Sequence, residues 1–208
     1  MKFETHFRFW LIVCFFGIFV VPAVINQLNY GDRIEQDQRE LIKTVGLKTG
    51  THIIKAADSI YDTLFVQTHI QKWAMKTYVN KPELALEDKA HLSNGGKVMA
   101  RYAIALFMNF YEWIFRLMTL AFWFMFTLPF MLAAIFDGFM QRKVNIASFT
   151  YSSPGNYNTM MHVMVAMFFL TIFYCGTPIP IYSMTFPVLL IVIAMMMRSM
   201  LTNLQRSA

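Results

Sequence analysis

Between Val144 and Met197 the chain carries no Lys, Arg, Asp or Glu. A soluble fold cannot easily hold so long an uncharged stretch, because its turns and outer faces must meet water. The overall composition leans the same way. Hydrophobic residues make up 57% of the 208 residues and charged residues 14%, against ~45–50% and about 25% in an ordinary soluble domain. The expectation is an all-α membrane protein with about four transmembrane helices, each needing ~20 apolar residues.

The first apolar run covers 9–25, after the basic segment MKFETHFR at 1–8. Val21-Pro22-Ala23 resembles a signal-cleavage site, but the run is long for the apolar core of a signal peptide, which favours an uncleaved span. The second run is 117–136, approached by an aromatic helical stretch over 101–116 and expected to kink at Pro129. The third and fourth runs are 160–176 and 181–197, with Thr177-Pro178-Ile179-Pro180 between them. That spacing predicts a tight helical hairpin, with a re-entrant hairpin as the alternative and a bend at Pro187.

Basic residues in short segments set orientation. Lys2 and Arg8 precede the first run, Arg142 and Lys143 follow the second, and Arg198 and Arg206 follow the fourth. The positive-inside rule then puts both termini (1–8 and 198–208) and a loop over 137–159 in the cytoplasm. The long segment 26–100 is left outside, in the periplasm of a bacterium. It reads as all-helical. A polar helix with a thin apolar face precedes a break flanked by Gly46 and Gly50, with Thr51 as a cap. Ile53, Ile54, Ala57, Ile60, Tyr61, Leu64, Phe65 and Trp73 then recur at helical spacing, predicting an amphipathic helix to about Tyr78. Its stripe must be covered by a neighbouring helix, by the aromatic segment before the second span, by a second copy or by another protein. Asn80–Glu83 and Ser93–Gly96 read as turns, with a short helix between them.

No catalytic motif is present: no Walker A loop, no GxSxG elbow, no HExxH. Cys14 and Cys175 both lie in apolar runs, which argues against a disulfide. His52, His69 and His91 have no metal-ligand spacing. The chain is expected to be non-enzymatic, without cofactor or metal. Part of the net charge of +6 flanks spans, where it sets topology, so direct nucleic-acid binding is not expected. Glu112 and Arg116 stand four apart on one helix face. They read as an interfacial ion pair at the headgroup level, the sharper alternative being an intramembrane pair on a conduction path. Ala134 and Gly138, also four apart, suit close helix packing.

Residues 137–157 read DGFMQRKVNIASFTYSSPGNY. Asp137 and Gly138 are followed by Arg142-Lys143 and then by Phe149-x-Tyr151-x-Ser153-Pro154. This pattern, with His162 soon after, resembles a family of conjugative and integrating-element membrane proteins long catalogued as a domain of unknown function. The match covers about a tenth of the chain by motif and nearly all of it by layout. The resemblance implies a TraJ-like inner-membrane component of bacterial conjugation, working with a type IV secretion apparatus and its coupling ATPase. It carries no catalytic residues. It implies that Asp137, Gly138, Arg142, Lys143, Phe149, Tyr151, Ser153 and Pro154 form a structural or partner-contact motif. The partners implied are the coupling ATPase and other secretion-system membrane proteins, in a hetero-oligomer that holds one or several copies. A small transporter or channel is the alternative from a different class, and a mating-pair stabilising or exclusion protein is one within the same biology.

Overall fold

The computed structural model describes residues 3–24, 28–79, 94–149, 154–177 and 182–204. Among them there is no strand. The order is α1 (Phe3–Val24), α2 (Leu28–Val45), α3 (Leu47–Tyr61), a π-helical turn (Asp62–Val66), α4 (Ile70–Ala74), a second π-helical turn (Met75–Val79), α5 (Asn94–Ala147), α6 (Pro154–Gly176) and α7 (Thr185–Thr202). Among the described residues three helices are long and apolar enough to cross a membrane: Val98–Ala147, Gly155–Gly176 and Thr185–Thr202. With 54 residues at ~1.5 Å each, α5 has a contour length of about 80 Å. That is more than twice the ~30 Å of a hydrocarbon core.

Several expectations are revised. The segment 137–159 is not a loop throughout, because α5 runs on to Ala147 and α6 begins at Pro154. Nothing between Phe139 and Ala147 stops a helix, and the Pro and Gly of the turn signal arrive only at 154–155. Pro154 takes the first position of α6, where its missing N–H costs nothing. Pro187 falls in the first turn of α7 for the same reason, so it requires no bend. The third helix starts before residue 160 and the fourth after residue 181. Asn94–Gly96 belong to the first turn of α5 rather than to a turn before it, so the helix begins ahead of residue 101. The expected features at 80–93 and 178–181, including His91, and the motif positions Tyr151 and Ser153, lie outside the described residues.

The chain divides into two compact units. One comprises residues 15–119 and 175–183. Here α2 and α3 fold back on each other at Gly46, whose φ of +88° suits a residue without a side chain. Gly50 is not part of that break. It lies inside α3, where a Cβ would stand 2.8 Å from Ile42 Cγ1, so its bare backbone lets the two helices meet. Thr51 does not cap α3, since its hydroxyl donates back to the carbonyl of Leu47 at 2.8 Å. The single amphipathic helix expected to Tyr78 is interrupted. Thr68 turns its hydroxyl onto the Leu64 carbonyl at 2.6 Å, and His69 adopts a left-handed backbone with φ +63°.

The apolar stripe running from α3 into the π-helical turn is covered, in part, by the aromatic segment of α5. Ring centroids stand 5.5 Å apart for Tyr61 and Tyr111, 5.8 Å for Phe65 and Phe107, and 5.3 Å for Phe65 and Phe110. The Tyr111 hydroxyl donates to Asp58 at 2.6 Å and accepts from the Gln38 amide at 3.1 Å.

The other unit comprises residues 1–14, 120–174 and 184–208. In it α1 packs on α6 through Cys14, Val165 and Phe169, with Trp10, Ile172 and Phe173 around them. The Cys14 thiol donates to the Phe169 carbonyl at 3.6 Å. Many apolar side chains of this unit face outward, among them Phe9, Ile12, Met125, Phe126, Phe136 and Val188. Exposed apolar surface on this scale marks contact with lipid or with another protein.

Candidate functional site: a buried charge cluster and the motif helix

In the first unit the polar helix α2 buries a narrow face of Tyr30, Asp37 and Leu41. Asp37 is an acid on an otherwise apolar stripe, and it needs a partner there. Arg116 of α5 supplies it. Its side chain is 1% exposed, and it donates to Asp37 Oδ2 from Nη2 at 2.7 Å and from Nε at 2.9 Å. The same Nη2 pairs with Glu112, one turn earlier on α5 and also 1% exposed. Nη1 donates to the carbonyls of Thr177 and, at 3.4 Å, Cys175. Those carbonyls close the C-terminal end of α6, where the helix dipole favours a cation. One guanidinium thus ties together α2, α5 and the end of α6.

Three further residues complete the cluster. Arg33 stacks its guanidinium 4.5 Å from the Tyr30 ring centroid, a cation–π contact. The Tyr30 hydroxyl is fully buried and has no hydrogen-bond partner among the described residues. Burial, then the charge of Glu112, pushes its pKa up to about 12, so it stays neutral. Asn109 is buried one turn before Glu112. With Asp37 and Glu112 set against Arg33 and Arg116, the formal charges balance.

Sequence spacing finds Glu112 and Arg116, and the structure keeps them together. It does not find Asp37, Arg33, Tyr30 or Asn109. The available signal was an acid in register with Leu41 on a thin apolar face. Chemically the cluster suits anchoring. No group of three or more metal-ligating side chains occurs among the described residues.

In the second unit the motif residues separate into two sets. Asp137 pairs with Arg198 of α7, with both side chains about half exposed. Gly138 is a point of close approach, since a Cβ there would stand 2.9 Å from the Arg198 carbonyl oxygen and 3.2 Å from its Cα. Arg142 Nε donates at 3.0 Å to the carbonyl of Leu204, just past the end of α7. Asp137, Gly138 and Arg142 therefore fasten α5 to α7. Lys143 points away and is exposed, as are Phe139, Met140, Val144 and Ile146. Phe149 is 96% exposed and has a left-handed backbone, φ +53°, a conformation uncommon for a bulky residue. Pro154 only opens α6.

His162, noted beside the motif, meets His6 of α1. Their Nδ1 atoms are 3.2 Å apart, and the Trp10 indole N–H donates to His6 Nε2 at 3.0 Å. Cys14 and Cys175 are free and buried.

Over residues 32–207 the chain matches the model of a family described as DtrJ-like, IncC plasmid conjugative DNA transfer protein DtrJ-like. No curated protein and no solved structure matches it.

Proposed function

The chain belongs to the DtrJ-like family of IncC plasmid conjugative DNA transfer proteins, and from that premise we propose that it is a non-enzymatic inner-membrane component of the type IV secretion machinery. In this reading it crosses the bilayer four times, with both termini in the cytoplasm, and associates with the coupling ATPase that delivers DNA to the channel. The three apolar helices and the apolar outer surface support a lipid environment. Positive charge at 142–143 and 198 supports the orientation.

The observation that carries the partner contact is the far side of the motif helix. Asp137, Gly138 and Arg142 are turned toward α7. The same stretch holds Phe139, Met140, Lys143, Val144, Ile146 and Phe149 outward. In the proposed topology this face stands in the cytoplasm, beyond the lipid that would otherwise cover it. An apolar patch with a basic residue and a nearly naked aromatic is the composition of a protein-contact core.

The test is affinity purification of the coupling ATPase from mild detergent out of cells carrying the whole transfer system. This chain is expected to come with it. A Val144→Asp/Phe149→Asp double variant is expected to insert normally and to lose at least tenfold of that recovery. Absence of the parent chain under all gentle conditions, or undiminished recovery of the variant, contradicts the proposal.

A further inference from the structure

Part of the segment between α1 and α5 carries large apolar side chains in the open. Leu64, Val66, Ile70 and Trp73 are all exposed, Trp73 by 64%. They fall within ten residues, and α4 packs directly against the π-helical turn that carries Leu64 and Val66. Lys72 and Lys76 are exposed beside them and stand one turn apart. The acid of this stretch, Asp62, takes the Gln67 amide at 3.0 Å. The stretch thus exposes aliphatic side chains and an indole beside two cations, interleaved with exposed Thr63, Gln67, Thr68 and His69.

We infer that this stretch docks on the phospholipid surface of the membrane that holds the chain. The inference rests on the four-span reading above. Four observations favour lipid over protein as the occupant. The segment starts three residues after α1 and its far end leads back into α5, so it is tethered to the bilayer at both ends. Its exposed indole is suited to the headgroup level, where tryptophan concentrates. Lys72 and Lys76 complement anionic headgroups, while their alkyl stems extend the apolar surface. The interruption at His69 divides the segment into short pieces, which can follow a surface that one straight helix would touch only along a line.

Single cysteines at Leu64, Val66, Ile70, Trp73, Gln67 and Met125 in a Cys14→Ala/Cys175→Ala chain are to be spin-labelled. The full chain is reconstituted in nanodiscs of phosphatidylethanolamine and phosphatidylglycerol. Collision with oxygen, which enters lipid, is compared with collision with a water-soluble nickel chelate. Oxygen is expected to dominate at 64, 66, 70, 73 and 125, and the chelate at 67. Adding Lys72→Glu/Lys76→Glu is expected to bring positions 70 and 73 toward the values at 67. Chelate dominance at 64–73 with oxygen dominance at 125 overturns the docking and leaves the spans intact. Inaccessibility of 64–73 to both reagents means that protein covers the stretch and also overturns the docking. Chelate dominance at 125 overturns the membrane reading itself.

Discussion

Arg116 is a buried cation whose every donor nitrogen has work in one place: Asp37, Glu112 and the carbonyls that end α6. Burying such a group is costly unless it is fully paired, and removing one partner strands the others. Arg116→Leu should therefore destabilise the chain by roughly 3–5 kcal/mol, read as a fall in thermal unfolding temperature in mild detergent. Replacing Arg116, Asp37 and Glu112 together by leucine should recover much of that loss. A single variant as stable as the parent would show that the cluster does not anchor these helices. The motif offers a contrast at the same scale. Gly138→Ala pushes a methyl into the backbone of α7 and should cost about 1–3 kcal/mol. Asp137→Asn removes an exposed ion pair and should cost ~0–1 kcal/mol. The reverse order in unfolding temperature would mean that charge rather than close approach joins α5 to α7.

The helices follow from patterns that any reader of the sequence can see, but their ends depend on side-chain details that such patterns do not contain. The α2–α3 reversal needs a positive φ at Gly46. A Cβ at that position meets nothing within 4 Å. Gly46→Ala should nevertheless destabilise by about 1–3 kcal/mol, because the strain lies in the backbone itself. Circular dichroism melts of the two chains would show the difference, and identical melts would contradict it. The uncharged runs mark the apolar helices, and the Ile53-to-Phe65 spacing marks the amphipathic one. The Glu112–Arg116 pair was legible because its partners share one helix, whereas Asp37 stands on α2, far away in sequence. The interruption at His69 was hidden because Val66-Gln67-Thr68-His69 contains neither Gly nor Pro. Asp137 and Arg142 were legible as a motif, but that they fasten α7 was not, since Arg198 and Leu204 follow much later. Gly138 was the exception, because its spacing from Ala134 already suggested close packing.

At the scale of the whole chain, family membership fixes the biology as conjugative DNA transfer, while the proposed topology decides which surface can meet which partner. In the proposed membrane reading an α5 of about 80 Å is longer than one hydrocarbon core and extends beyond it. With the proposed orientation, its C-terminal end carries Lys143, Val144 and Phe149 to the compartment where a coupling ATPase hydrolyses nucleotide. The most direct test is labelling of single cysteines in intact cells with a maleimide that penetrates the outer membrane but not the inner one. Gln67→Cys is predicted to react in intact cells, and Phe149→Cys and Asn203→Cys only after the inner membrane is opened. Reaction at 149 in intact cells, or recovery of the chain in the soluble fraction, would contradict the account.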